Sequence, residues 1–301
     1  MNERHAGRRS PPPPARIHGR LAPVGLALLS LAALPPRLAA QRPERPPPGN
    51  GPASLAALRD PGGYPFRTPT HSALEPLIRF GVAHVSRDTS SGNVFLPDLG
   101  DRLSFWLRRA PTGDWELAGA VAGGVFSRFD LERSDNEFIE VHYRVGLQLR
   151  ARYRAVAARA EVYHVSSHLG DEFLERTGRE SITTSREGVE LLLQGNLLHR
   201  LTVYGGPGYL LRSTDDFDRP SLRFGGSWSP GNERRRFAPY AAGEIFSWSE
   251  LDWQPLTSLE AGLRFGRQAR LGVTYGAGPS RAEQFFREDE ELLGITFSFL
   301  R

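Results

Sequence analysis

The strongest constraint on the fold of this chain is an alternation of apolar and polar side chains with a period of two residues. It is clearest between Glu137 and Arg150 (EFIEVHYRVGLQLR), where apolar or aromatic residues occupy every second position from Ile139 to Leu149. Successive side chains of a β-strand point to opposite faces of the sheet, so this pattern predicts a strand with one apolar and one polar face. With fourteen residues, the predicted strand is longer than most strands of water-soluble sheets.

The same alternation recurs from residue 76 to the C-terminus and predicts about twelve strands. Connections after the even-numbered strands are short, whereas several after odd-numbered strands are long and polar, such as Arg87–Asp101 and Pro279–Glu290. This asymmetry and the even strand number are typical of bacterial outer-membrane barrels. We therefore expect an all-β fold, an antiparallel up-and-down transmembrane β-barrel of about 12 strands with both termini on the periplasmic side. The predicted strands are residues 77–86, 102–110, 114–127, 137–150, 155–167, 181–193, 199–212, 221–230, 235–248, 254–267, 270–278 and 291–300.

Charged residues in the middle of the predicted strands indicate which face is enclosed. An Arg on the lipid-facing side at mid-bilayer costs about 2–4 kcal/mol, so the charged faces are expected to line a hydrated lumen. A water-soluble β-sandwich also alternates and is the competing architecture. Strand length favours the membrane, since about 9–11 residues cross a bilayer at a tilt. The expected lumen charges are Arg144, Arg159, Glu161, Glu190, Glu244, Glu260 and Arg264.

Large aromatic residues lie near the ends of the predicted strands. Aromatic side chains prefer the two membrane–water interfaces, where they form girdles around a barrel. The residues expected in these girdles are Trp106, Trp115, Phe129, Trp228, Trp248 and Trp253.

The first 75 residues differ in composition from the rest of the chain. Five Arg precede an apolar run from Leu21 to Leu34, and small residues follow up to Ala40, which predicts a cleaved secretory signal peptide. The run is too short for a membrane anchor, since a spanning helix needs about 20 apolar residues. A Pro-rich segment follows, in which Pro removes backbone donors and fixes φ, and its part SLAALRDPGGYPF is a candidate to dock on the barrel. The expected organisation is a signal peptide (1–40), a periplasmic lead-in (41–75) and a barrel (76–301).

Composition excludes several classes of function. All 38 basic residues are Arg, and the formal net charge is +4. Residues 1–40 hold six Arg and one Glu, so the other 32 basic and 33 acidic residues give −1, which is no electrostatic footprint for nucleic acid. The absence of Cys excludes disulfides, thiolate metal sites and a Cys nucleophile. No HExxH, EF-hand or phosphate-loop motif occurs, so neither a cofactor nor a metal is expected.

Three stretches of the chain carry a resemblance to a known family. They are Tyr163–Leu174 (YHVSSHLGDEFL), the pair Ser185–Arg186, and Tyr204–Leu211 (YGGPGYLL). With them the chain resembles a family of secreted bacterial proteins known as DUF1207, a domain of unknown function, from about Leu55 to the C-terminus. The resemblance implies an outer-membrane-type barrel and no particular activity.

The fifth predicted strand carries the residue types of a catalytic dyad. Arg159 and Glu161 mark its lumen side. The residues of opposite parity, His164, Ser166 and His168, are therefore expected to face outward near the cell exterior. Residues two apart on one strand face lie about 6.6–6.8 Å apart, and suitable rotamers bring a His within hydrogen-bond reach of a Ser hydroxyl.

This pair is similar to the His-x-Ser dyads of outer-membrane phospholipase A and lipid A deacylase, which implies Ser166 as nucleophile and His164 as base. A third group must orient the imidazole, and Asp171 or Glu172 in the following loop is the nearest candidate. The pattern departs from the phospholipase, in which Asn-Gly follows the Ser, because Ser167–His168 follows here. The oxyanion-stabilising and calcium-binding parts of the phospholipase therefore have no counterpart.

Three interpretations of this segment stay open. The residues are interfacial polar groups that hydrogen-bond lipid headgroups, loops or water; or they form a serine esterase that acts on phospholipid or lipid A; or His168, Asp171 and Glu172 bind a divalent cation. We expect the first, a structural or lipid- and loop-interacting wall, with the outer-leaflet hydrolase as the alternative.

The charges on the lumen side admit a further alternative, a narrow diffusion pore. Twelve strands lie between the small filled barrels and the 16–18-stranded porins with aqueous channels. We favour an internal salt-bridge network that fills the lumen. The expected location is the bacterial outer membrane, and the expected partners are membrane lipid or lipopolysaccharide and, during biogenesis, the barrel assembly machinery.

Overall fold

The structure is a computed structural model that describes residues 66, 69, 71–72, 74–87, 90–181, 184–197, 200–214, 217–230, 236–266 and 269–299. The predicted signal peptide lies outside the described residues. Within them, twelve antiparallel strands form one closed barrel, in which each strand pairs with its sequence neighbours and β1 pairs with β12. The strands are β1 Arg79–Arg87, β2 Ser90–Arg109, β3 Trp115–Asp130, β4 Phe138–Tyr153, β5 Val156–Leu169, β6 Thr184–Leu197, β7 Leu201–Ser213, β8 Pro220–Trp228, β9 Phe237–Trp248, β10 Pro255–Phe265, β11 Ala269–Pro279 and β12 Asp289–Phe299.

The predicted up-and-down barrel is confirmed. Closure leaves no unpaired strand edge, which is what a β-structure in hydrocarbon requires, because no water is present there to bond free backbone groups. One α-helix, α1 (Asp171–Thr177), lies between β5 and β6. No helix in the described part of the chain is long and apolar enough to cross a membrane.

The two ends of the barrel differ as expected. We call the end at the connections after even-numbered strands the turn rim and the opposite end the loop rim. At the turn rim, β5 begins three residues after β4 ends, whereas at the loop rim β6 begins fifteen residues after β5 ends. The connection between β8 and β9 is wider than predicted, since it contains Pro230, which cannot donate to a ladder.

The predicted long loop after β1 is wrong. β2 begins at Ser90 and pairs along the whole length of β1, from Ser90 opposite Arg87 to Asp98 opposite Arg79. The stretch contains Gly92, Pro97 and Gly100, residues that disfavour strands, and its place between β1 and β3 overrides that local preference.

Strand parity separates the two faces of the wall. On β4, Arg144, Gln148 and Arg150 are buried in the lumen. The alternate residues Val145, Leu147 and Leu149 are among the most exposed apolar side chains of the molecule, as a lipid-facing surface requires. The expected lumen position is confirmed on all strands that carry a predicted charge, and six of the seven side chains are buried: Arg144, Arg159, Glu161, Glu190, Glu244 and Glu260.

Trp248 does not belong to a girdle. It shares the lumen parity of Glu244 and is 6% exposed, because Phe217 and Phe286 from two loop-rim connections pack on it with ring centroids 5.4 and 5.5 Å away. Arg186 of β6 lies against the same cluster, with its guanidinium carbon 4.8 Å from the Trp248 ring centroid. These aromatic side chains therefore cover the lumen at the β9 side of the loop rim.

Candidate functional site

The outward face of β5 carries the three residues predicted there. Arg159, Glu161 and Ser167 are buried on the inner face. The alternate residues of the upper half of the strand, His164, Ser166 and His168, are half-buried or exposed. The alternation of β5 runs without interruption from Val156 to Leu169, so the parity read from the sequence also holds at the loop rim.

A carboxylate lies beside His164 on the neighbouring strand. Glu187 of β6 is directly opposite His164 in the register, and its Oε1 is 3.8 Å from the imidazole Nδ1. The His164 and Glu187 side chains are 41% and 45% exposed. The separation is an ion-pair distance rather than a hydrogen bond, and catalytic hydrogen bonds are commonly longer in the absence of substrate.

Ser166 lies next to this pair and further toward the loop rim. It is opposite Tyr143 on β4 and Ser185 on β6, and all three side chains are outside the lumen. Between described residues the structure has no hydrogen bond from Ser166 to His164. Because Nδ1 of His164 is turned toward Glu187, Nε2 is the nitrogen left to accept a proton from a neighbouring hydroxyl.

The other predicted site residues lie apart from this group. Asp171 and Glu172 are exposed in the first turn of α1, and neither contacts His164 in the described part of the chain. His168 is exposed on β5, opposite Val141. Within the described ranges, no group of three or more His, Asp or Glu side chains could hold a metal ion.

The polar group borders the apolar belt of the wall. Its neighbours are Val145, opposite His164 on β4, and, toward the turn rim, Val162 and Leu191, all about half exposed. Toward β7 its neighbour is the exposed Arg212, directly opposite Glu187. A lipid at this height would place its chains against the belt and its polar part against the group, which we call the wall site: His164, Ser166, Ser185, Glu187 and Arg212.

The sequence assigned no site role to Ser185, Glu187 or Arg212, and of these three Glu187 is the one beside the imidazole of His164. It stands three positions before Glu190, so the period of two puts the two carboxylates on opposite faces of β6. A carboxylate on the lipid-facing side destabilises a barrel, so a Glu at such a position is a sequence signal for a functional residue. Its position next to His164 depends on the β5–β6 register, which no spacing within one strand specifies.

The lumen contains the second group of charges, which centres on Glu75. Glu75 contacts the wall on three strands: Arg159 Nη1 of β5 at 2.6 Å, Arg223 Nη2 of β8 at 3.0 Å and Arg102 Nη2 of β2 at 3.3 Å. A residue can reach strands so far apart in the barrel order only from inside. Arg159 and Arg223 also share Glu190, at 2.6 and 3.1 Å.

The residues before Glu75 are held in the same way. His71 bonds Glu260 through Nδ1 at 3.0 Å and Ser258 through Nε2 at 2.6 Å, both on β10. Ser72 Oγ donates to Glu244 of β9 at 2.8 Å. Phe66 is fully buried against Ala157, Leu192 and Tyr204. We call residues 66, 69, 71, 72 and 74–78 the inner segment; it includes the described part of the predicted periplasmic lead-in.

Two solved structures share this fold. Outer membrane phospholipase A from Escherichia coli superposes with a TM-score of 0.54 at 14% sequence identity, covering 73% of this chain and 89% of that one. The outer membrane phospholipase dimer of Salmonella typhi with bound calcium gives a TM-score of 0.53 at 15% identity, covering 82% and 97%. At such identities the likeness concerns the fold alone. No curated protein matches the chain.

The sequence also matches a family, which the motif Tyr163–Leu174 already suggested. The family is described as "Protein of unknown function (DUF1207)", and the match runs over residues 96–300, from the middle of β2 to the end of β12. It therefore spans both the wall site and most of the barrel. The chain belongs to the DUF1207 family, and its own fold in the described residues is an outer-membrane-type β-barrel of twelve strands.

Proposed function

We propose that this protein is an outer-membrane lipid hydrolase that cleaves acyl esters at the wall site. The observation that carries the proposal is the carboxylate of Glu187 beside His164, on the same outward face as Ser166. A nucleophile, a base and a group that orients the base are the three parts of a serine hydrolase. Ser166 is the nucleophile, His164 the general base, and Glu187 takes the orienting role for which Asp171 and Glu172 were the sequence candidates.

The chemistry follows from these roles. Ser166 Oγ attacks the ester carbonyl carbon while His164 removes the hydroxyl proton, and Glu187 stabilises the imidazolium that forms. Collapse of the tetrahedral intermediate breaks the bond to the alcohol oxygen, which takes the proton from His164. Water then attacks acyl-Ser166 with His164 again as base, which releases the fatty acid and restores the serine. The products are a fatty acid and a lipid with one acyl chain fewer.

The surroundings of the wall site support a lipid substrate. Val145, Val162 and Leu191 offer an apolar surface for acyl chains, and Arg212 offers a cation for a phosphate group. The membrane partner is then phospholipid or lipopolysaccharide of the outer leaflet, since β5 and β6 approach the loop rim at this height.

The test compares acyl release by detergent-folded wild type and variants from phosphatidylethanolamine vesicles and from lipid A. Ser166→Ala and His164→Ala are expected to lower the rate by about 10² to 10⁴-fold, the usual contribution of a nucleophile–base pair. Ser167→Ala is the matched control, because Ser167 is the next residue on β5 and faces the lumen, where it bonds Thr184 at 2.8 Å. Equal release by wild type and Ser166→Ala, or release by neither, would refute the proposal.

For the lumen we propose a structural role in the resting state. Glu75, Arg159, Arg223 and Glu190 form a connected network across the barrel, and the inner segment occupies the space between the strands. We therefore expect wild-type protein in planar bilayers to show no steady conductance. Continuous discrete current steps from the wild type would favour the diffusion pore instead.

A further inference from the structure

Except at Ile78, next to β1, whose carbonyl oxygen accepts a backbone hydrogen bond from Phe299 of β12, the inner segment is bound to the wall by side-chain contacts rather than by strand pairing. Each strand of the barrel pairs on both sides without it, including β1 with β12 and β2. The contacts of His71, Ser72 and Glu75 are hydrogen bonds and ion pairs with wall side chains. Withdrawal of the segment would therefore leave the backbone of the barrel complete.

The groups exposed by withdrawal are ones that water can solvate. The places left by Glu75 and Ser72 would be lined by Arg102, Arg159, Arg223 and Glu244, which are hydrophilic side chains of a lumen rather than an apolar core. When water replaces the protein partners of a polar group, the free energy changes little, because the group exchanges one set of hydrogen bonds for another. The same group would be costly if it were left buried without water or a protein partner. Phe66 is the apolar anchor of the segment, against Ala157, Leu192 and Tyr204.

The wall is also shaped to receive the segment. Gly100 of β2 lies against Pro76, and a Cβ at position 100 would be 2.6 Å from the Pro76 Cα. That distance is shorter than any van der Waals contact, so only glycine admits the segment there. Gly124 of β3 borders Pro76 in the same way, with 3.2 Å to its Cβ.

We propose that the inner segment is a removable plug and that its withdrawal converts the closed barrel into a channel for small anions. Anion preference follows from the charges that remain. Glu75 is the carboxylate shared by Arg102, Arg159 and Arg223, and its departure leaves these three guanidinium groups with two wall carboxylates, Glu190 and Glu244, which is a local excess of one positive charge. This activity is independent of the wall site, which is on the opposite face of the barrel wall.

The first experiment records single-channel currents of full-length protein in planar bilayers of neutral lipid with KCl. Glu75→Gln keeps the shape of the side chain and removes its charge, and it is expected to raise the open fraction about 10-fold or more above wild type. The open current is expected to reverse at a potential that shows chloride preferred over potassium. Glu116→Gln is the matched control, because Glu116 is an equally buried carboxylate that pairs with Arg109 and Arg152 of the wall.

A second variant displaces the segment without changing any charge. Gly100→Ala puts a methyl group where Pro76 lies and is expected to open the barrel, whereas Gly123→Ala, whose Cβ meets only the Arg144 carbonyl at 3.7 Å, is expected to stay closed. Heat-modifiable migration on gels verifies that each variant is a folded barrel. If either Glu75→Gln or Gly100→Ala fails to fold, the other variant alone tests the proposal.

A third measurement identifies the moving part. The chain has no Cys, so Ser72→Cys introduces a single thiol at a position that is fully buried in the plugged state. An impermeant maleimide is expected to leave this thiol unlabelled in the Ser72→Cys protein and to label it when Glu75→Gln is added. Labelled protein should then stay open, because the adduct is too large to return to the lumen.

Each other outcome overturns the proposal. If both opening variants fold and neither shows channel currents in bilayers, the segment is a fixed part of the core. Openings without labelling at position 72 mean that ions pass by another route. Openings of Glu116→Gln or Gly123→Ala equal to those of the plug variants mean that the wall is merely loosened. A cation-selective current contradicts the assigned charge preference.

Discussion

The two faces of the barrel wall use the same residue types in opposite ways. In the lumen, His71 is fully buried and bonded at both ring nitrogens, to Glu260 and to Ser258. On the outer wall, His164 is 41% exposed and has one carboxylate, Glu187, at 3.8 Å. Bonds at both nitrogens hold the imidazole in one orientation, whereas a ring with one free nitrogen can still move a proton.

β6 contains the same contrast within one strand. Glu190 points inward and is shared by Arg159 and Arg223, while Glu187 points outward and has a single, longer contact. A buried carboxylate needs several partners because it has lost its water, but a half-exposed one does not. Lumen charges with several partners, such as Glu190, therefore contribute to stability, and the singly paired Glu187 on the outer wall is available for chemistry.

The largest expected effect is on the lumen side. Arg159→Met removes the cation between Glu75 and Glu190 and leaves both carboxylates short of a partner, so we expect a loss of about 3–5 kcal/mol in the free energy of unfolding. Urea titration of the folded, heat-modifiable form measures it. Arg212→Met on the outer wall is the matched control and should change stability by about 0.5 kcal/mol or less. Equal losses of unfolding free energy in the two variants would show that charges on the two faces contribute equally to stability.

The next effect concerns the lipid-facing surface. Leu147 is 61% exposed at mid-strand, and Leu147→Arg should destabilise the folded barrel in bilayers by about 2–4 kcal/mol. Tyr143→Arg, four residues closer to the loop rim on the same face of β4, should cost only about 0–1 kcal/mol, because the cost falls toward the interface. Unfolding titrations in lipid vesicles compare the two. A cost that does not depend on depth would argue against a membrane around this face.

A third comparison separates the two carboxylates of β6. Glu187→Gln should lower acyl release by about 10- to 100-fold, since it removes the group that orients His164, and should hardly change stability. Glu190→Gln should lower stability by about 1–3 kcal/mol and leave the rate per folded molecule unchanged. Rates are measured on vesicles and stability in urea. Asp171→Asn and Glu172→Gln serve as controls. If either lowers the rate of acyl release more than Glu187→Gln does, the residue that orients His164 is Asp171 or Glu172.

The smallest effect is at the loop rim, where α1 is tied to the barrel. The Arg176 guanidinium donates to Glu137 Oε1 at 2.9 Å, and this hydrogen bond holds the pKa of Glu137 below its ordinary value of 4.5. A lowered pKa means that the contact stabilises the folded state above pH 4.5 and that this contribution is lost as the pH falls through the lowered value. Arg176 is about a third exposed, so solvent screening limits the effect to about 1 kcal/mol or less.

Amide hydrogen exchange of residues 171–177 between pH 3 and pH 6 measures this coupling, after correction for the intrinsic pH dependence of exchange. In wild type, protection should decrease on acidification below pH 4.5. Glu137→Gln should be less protected at pH 6 and should not change with pH, since the titrating group is gone. If protection in wild type is as independent of pH as in the variant, the contact between Arg176 and Glu137 does not stabilise α1.

The alternation of side chains was sufficient to predict most of the wall. β4 is the clearest instance, because from Tyr143 to Arg150 its polar and apolar residues have the faces that their parity indicates. The first part of β2 was predicted as a long, polar loop, Arg87–Asp101. Its pairing partners on β1 and β3 decide otherwise. Trp248 was assigned to a girdle by its position at a strand end, and the loop aromatic residues Phe217 and Phe286 that cover it come from distant parts of the chain.

The wall site was predictable in part. His164 and Ser166 share a strand, so their common outward face follows from parity alone. Glu187 is on the next strand after a long connection, and the register that brings it opposite His164 cannot be read from either strand. Asp171 and Glu172 were nearer in sequence, but the chain turns into α1 at that point and carries them away.

Three properties can be read along the chain: the face to which each side chain of a strand points, the even number of strands and the family. The alternation with a period of two is a property of the backbone of one strand, so it is visible without knowledge of the neighbouring strands. The contacts between strands and segments, in contrast, are set by the folded barrel. The path of the inner segment into the lumen and the approach of Glu187 to His164 both arise when the sheet closes on itself, because closure brings together residues that are far apart in the chain.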